Sequence, residues 1–67
     1  MNETLAEMAD AVGELEGRVA EVIYETVRAQ LRDDSGTASA HELERRLAKV
    51  RRSLQKAEVL LRGYAGD

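Results

Sequence analysis

A chain of 67 residues with a net charge of −3 and no cysteine is one small domain at most. It can form no disulfide framework and no thiolate metal site. It has two tyrosines and no Phe or Trp, so any core must be built from Leu, Val, Ile, Met and Ala. Chains this small usually need a disulfide, a metal or a partner chain to fold stably, and the composition points to self-association or a partner chain.

The first residues, Met1-Asn2-Glu3-Thr4-Leu5, carry a negative charge and no apolar run, which argues against a secretory signal. Helix 1 is expected over about residues 3–33, with Thr4-Leu5-Ala6-Glu7 reading as a capping box and Asn2 as a rival cap. Its apolar residues form two stripes. One is Leu5, Met8, Val12, Leu15, Val19, Val22 and Ile23; the other is Ala6, Ala9, Gly13, Gly17, Ala20, Tyr24, Val27 and Leu31. At about 100° per residue the two together cover an arc of roughly 200°, wider than the roughly 100° face of an ordinary surface helix. Two stripes predict two neighbours. Gly13-Glu14-Leu15-Glu16-Gly17 is a GxxxG within the second stripe. In a charged helix it is not a membrane dimerisation signal, and it predicts the close approach of another backbone. Glu16 falls inside the apolar arc and predicts an ion pair, with Arg62 as the expected partner.

The segment 33–39, Asp-Asp-Ser-Gly-Thr-Ala-Ser, gathers turn formers and is read as the break, with the loop at 34–38 and Gly36 stopping the helix. Ser39-Ala40-His41-Glu42 reads as a second capping box. Helix 2 is expected over about 39–63, with Gly63 and Gly66 marking a fraying end. Leu43, Leu47, Val50, Leu54, Ala57, Leu61 and Tyr64 alternate spacings of four and three, the heptad seam of a coiled coil. Opposite it, Arg45, Lys49, Arg52 and Lys56 form a basic stripe. Folding about Gly36 predicts Leu31 near Leu43, Val27 near Leu47, Ala20 near Leu54 and Gly17 near Ala57, with Glu16 level with Glu58.

Charge is divided between the helices. Residues 1–34 carry nine acids and three bases, a balance of −6, and residues 40–62 carry seven bases and three acids, a balance of +4. The fold class expected is therefore all-α: an antiparallel two-helix hairpin that assembles into a four-helix bundle.

Candidate chemistry is sparse. No Walker loop, GxGxxG, nucleophile elbow or HExxH occurs, and no His or nucleophile is paired with Glu16. The lone His41 lacks the three or four ligands of a metal site. The expectation is no enzyme, no catalytic residue, no cofactor and no metal. No run reaches the roughly 20 apolar residues of a membrane span, so a soluble, cytoplasmic protein is expected. Eight Arg to two Lys and abundant Ala suit a bacterial genome.

The function expected is protein–protein interaction by an adaptor, docking or regulatory subunit that binds itself or a heterologous helical partner, most simply as a homodimer. The interface is drawn from Leu5, Ala6, Met8, Ala9, Val12, Gly13, Gly17, Ala20 and Tyr24 of helix 1 and Leu43, Leu47, Val50, Leu54 and Leu61 of helix 2. The alternative is a nucleic-acid-binding or antitoxin-like regulator that uses Arg45, Lys49, Arg52 and Lys56. Clustered bases on one face favour it. The net acidic chain and the lack of interleaved aromatics oppose it.

Overall fold

A computed structural model describes residues 2–33 and 38–65. They form α1, Asn2–Asp33, and α2, Ala38–Ala65, packed antiparallel. The molecule is a rod of 49 × 15 × 12 Å, and its length is that of α1 itself, 32 residues at about 1.5 Å each.

The helix ends differ from the sequence reading by small amounts. Neither Thr4 nor Ser39 precedes its helix; each lies within a first turn. The Glu42 carboxylate, assigned to a capping box, is instead held by Arg46 Nε at 2.8 Å and Arg45 Nη2 at 3.3 Å. The helix also runs through Gly63 to Ala65: a single helical glycine costs only about 1 kcal/mol, which neighbouring turns absorb. Ser35, Gly36 and Gly66, expected to break or fray the helices, lie outside the described residues.

The packing seam is a heptad on both helices. On α1 the covered positions are Leu5, Ala9, Val12, Glu16, Val19, Ile23, Thr26 and Gln30, alternating spacings of four and three. In heptad letters, Ala9, Glu16, Ile23 and Gln30 occupy a, and Leu5, Val12, Val19 and Thr26 occupy d. On α2 the same scheme places Glu44, Arg51 and Glu58 at a and Ala40, Leu47, Leu54 and Leu61 at d. Ala9, with no accessible surface, is the buried residue of the described core. The Thr26 hydroxyl donates to the Val22 carbonyl at 2.8 Å, which satisfies a polar group on the seam within its own helix.

Among the described residues, four polar contacts between the helices set the register. Gln30 Nε2 donates to Glu44 Oε1 at 3.0 Å, and Arg51 Nε donates to Glu16 Oε2 at 2.7 Å. Gln55 Nε2 donates to the same Glu16 oxygen at 3.4 Å, and Arg62 Nη2 donates to Asp10 Oδ1 at 2.9 Å. The Glu58 carboxylate lies over Gly13. The hairpin is therefore about one turn tighter than the register inferred from Gly36, because Gly13 rather than Glu16 stands level with Glu58. That shift also changes the partner of Glu16. Arg62 is carried past it to Asp10, and Arg51 and Gln55 take its place.

Candidate functional site

One helix cannot cover an apolar arc as wide as that of α1. In the structure α2 sits over the middle of the arc, taking Leu5, Val12, Val19 and Ile23 from the first stripe and Ala6, Ala9, Gly13, Ala20 and Val27 from the second. Each stripe is left with residues that stay exposed. Met8, Leu15 and Val22 remain on one edge, and Gly17, Tyr24 and Leu31 on the other. All six are exposed.

The two edges are chemically different. The four cross-helix polar contacts use positions a, b and e of the heptad: Glu16 and Gln30 at a, Asp10 at b, and on α2 Glu44 and Arg51 at a, Gln55 and Arg62 at e. All of these lie on one flank of the hairpin. Arg62 is the hinge of that flank, since its Nε and Nη2 also hold Glu58 Oε2 at 2.9 and 2.8 Å. Glu58, then Asp10, hold the guanidinium above its ordinary pKa. Tyr24, 63% exposed, lies on the same flank with the Arg28 guanidinium 5.7 Å from its ring centroid, within cation–π range.

The opposite flank is formed by position g of both helices, because antiparallel packing turns g toward g. On α1 these residues are Met8, Leu15, Val22 and Ala29; on α2 they are Leu43, Val50, Ala57 and Tyr64. All eight are apolar. In the register set by the polar contacts, Met8 comes level with Tyr64, Leu15 with Ala57, Val22 with Val50 and Ala29 with Leu43. Met8, Leu15, Val22, Leu43 and Val50 are each between 44% and 49% exposed. The d residues Val12, Val19, Leu47, Leu54 and Leu61 lie between the two rows and are half-buried. The result is a continuous apolar strip along one side of the rod, bordered by Arg18, Glu25 and Arg46, with the charged contacts between the helices on the other side.

The predicted interface residues therefore divide. Leu5, Val12, Leu47, Leu54 and Leu61 lie on the seam; Met8, Leu43 and Val50 line the strip; Ala6, Ala9, Gly13 and Ala20 are turned toward α2 or its charged flank. Gly17 and Tyr24 are exposed on the charged flank, away from the strip. The GxxxG divides too. A Cβ on Gly13 would meet Glu58 Oε2 at 3.0 Å, whereas a Cβ on Gly17 would meet nothing within 4 Å. The close approach is thus made by a carboxylate at one glycine, not by a backbone at both.

Arg45, Lys49, Arg52 and Lys56 are all exposed along the outer ridge of α2. Arg45 is partly neutralised by Glu42 at 3.3 Å. Arg46, then Arg45, hold the Glu42 carboxyl below its ordinary pKa. His41 is exposed in the first turn of α2. Among the described residues no three His, Cys, Asp or Glu side chains are gathered for a metal ion, and no helix is long and apolar enough to cross a membrane.

Sequence reasoning missed the polar a positions of α2. Glu44, Arg51 and Glu58 recur every seven residues, a signal as regular as the leucines but invisible to a search for apolar periodicity. No known family matches the chain, and neither does any curated protein or solved structure.

Proposed function

We propose that this chain is a small non-catalytic protein–protein interaction module, an adaptor, docking or regulatory subunit that works by helix–helix association. The contact surface is the strip of g and d residues, and its natural complement is a second helical hairpin that closes a four-helix bundle. The observation that carries this reading is the run of eight apolar g positions, level in pairs across two helices, on a chain whose charges stand elsewhere. Exposed apolar area of this extent marks interaction sites on proteins that otherwise keep such patches small.

The surface area agrees. The chain exposes 5273 Å², whereas a compact monomer of its mass would expose about 4,200 Å². Its radius of gyration is 15.2 Å, against about 11 Å for a compact domain of this length. The excess of about 1,000 Å² is close to the roughly 800 Å² that each partner contributes to a standard interface.

The test compares an immobilised chain with its Leu15→Glu/Val50→Glu variant, offering each soluble copies of the chain and a cell extract. Burial of unpaired carboxylates should reduce retention by about tenfold or more. Leu31→Glu, at a more exposed apolar residue on the charged flank, should leave retention unchanged. Equal retention by the parent and the double variant refutes the reading.

A further inference from the structure

Resting on that reading, we infer that the strip is covered by a second copy of this chain, with the two-fold axis parallel to the helices, so that α1 of each copy lies against α2 of the other. An isologous interface requires a self-complementary surface. Two arrangements place one strip face to face with another. A two-fold axis across the rod stacks α1 on α1 and α2 on α2. That puts α1, with eight acids and three bases, beside its own copy and α2, with seven bases and three acids, beside its own copy. A two-fold axis along the rod places each acidic helix beside the basic helix of the other copy, which charge complementarity favours.

The longitudinal axis also leaves no freedom in register. Rotation about it preserves height along the rod, so α1 meets the other copy's α2 in the same register that it keeps with its own. Within the strip, g meets g: Val22 on Val50, Leu15 on Ala57 and Met8 on Tyr64. The outer rim of this contact is position c of both helices, next to g on the side away from the seam. On α1 it holds Thr4, Ala11, Arg18, Glu25 and Arg32; on α2 it holds Ser39, Arg46, Ser53 and Leu60, with Arg32 level with Ser39. In the fixed register Glu25 comes level with Arg46 and Arg18 with Ser53. Ala11 comes level with Leu60, an exposed leucine for which the single hairpin has no use (64% exposed). An opposite charge meets a charge, an apolar residue meets an apolar residue, and no like charges meet. This register is the one that the contacts inside a single hairpin fix.

The absence of cysteine from the sequence makes disulfide trapping clean. Ala11→Cys and Leu60→Cys are made in separate chains, both at exposed positions, and helicity is checked by circular dichroism. Sedimentation equilibrium of the parent at about 100 μM should give twice the 7.4 kDa chain mass. Mild oxidation of the mixed variants should give a cross-linked pair carrying one of each, and neither variant alone should cross-link. A monomer at this concentration overturns the proposal. So does a dimer in which the mixture fails to cross-link, or one in which Val22→Cys alone links efficiently, which would mark α1 stacked on α1. A monomer whose strip still retains other proteins in the immobilised assay sinks the self-association alone; a monomer whose strip retains nothing sinks the wider reading as well.

Discussion

Gly17→Ala tests which side of the hairpin is free. Gly17 lies in the middle of α1, where glycine is about 0.8–1.0 kcal/mol less favourable than alanine. Its new methyl would meet nothing within 4 Å, so no packing cost opposes the gain. On the charged flank it is also clear of the strip. The expected result is a stabilisation of about 1 kcal/mol per chain and a rise in melting temperature of about 4–8 °C for a domain of this size. Gly13→Ala carries the same gain in propensity, but its methyl must displace the Glu58 carboxylate, 3.0 Å from the new Cβ and tied to Arg62 at 2.8 Å. Loosening an exposed ion pair costs a few tenths of a kcal/mol up to about 1, so Gly13→Ala should gain less than Gly17→Ala. Thermal unfolding followed by circular dichroism at matched concentrations, with sedimentation for mass, measures both. A loss of stability or of mass in Gly17→Ala would mean that another chain packs on this side, and the assignment of the free surface would be wrong.

The Glu16–Arg51 pair should contribute modestly, because Arg51 is 44% exposed and screened by solvent. A double-mutant cycle with Glu16→Gln and Arg51→Gln should return a coupling of about 0.5 kcal/mol, smaller at 1 M salt, and a coupling near zero at low salt would remove the pair as a register-setting contact. Glu42 should titrate below an ordinary glutamate in an NMR carboxyl titration, chiefly because of Arg46, and Arg46→Gln should move it back toward the ordinary value. Because the folded-state value is the lowered one, the contribution to stability is present at neutral pH and is lost as pH falls through that lowered value. Titration of Glu42 at or above the ordinary value would contradict the geometry.

How far the sequence carried the fold depends on which residues spoke. The two helices and their antiparallel packing were legible because the apolar spacings of four and three are strong and only one segment, 33–39, gathers turn formers. The width of the apolar arc on α1 was legible too, and so was the conclusion that one neighbour cannot cover it. The division of that arc was not. In the sequence each stripe reads as a unit, but α2 settles over their shared middle and leaves one edge of each exposed. The leucine seam of α2 was displaced for the same reason. Leu47, Leu54 and Leu61 belong to it, whereas Leu43, Val50 and Tyr64, which share its spacing in the sequence, line the strip. What decides between these rotations is the set of polar a residues. Glu44 and Arg51 have partners waiting on α1 at Gln30 and Glu16, and turning α2 toward them turns Leu43 and Val50 outward. Hydrophobic periodicity alone contains no term for that choice.

The polar a layer therefore has a consequence beyond its small energies. A hairpin with apolar residues at a, d, e and g would have two equivalent sides and could recruit partners on either. Here Glu16, Arg51, Gln55, Asp10 and Arg62 link the helices across one side. Covering that side with another apolar surface would remove water from these charged groups, at a cost that ion pairs in a low-dielectric setting often fail to offset. The same groups give no such penalty on the g side. Weak, solvent-screened contacts can thus act strongly on specificity, because they decide which of two apolar edges is open to a partner while adding little to the stability of the hairpin itself. Replacing Glu16 and Arg51 together by leucine tests this directly. The hairpin should unfold at equal or higher temperature, since paired charges replaced by apolar residues are often neutral or stabilising. Sedimentation should then reveal species larger than those of the parent, as the second side becomes adhesive. A double-leucine variant with the same mass distribution as the parent would show that the charged flank does not restrict association.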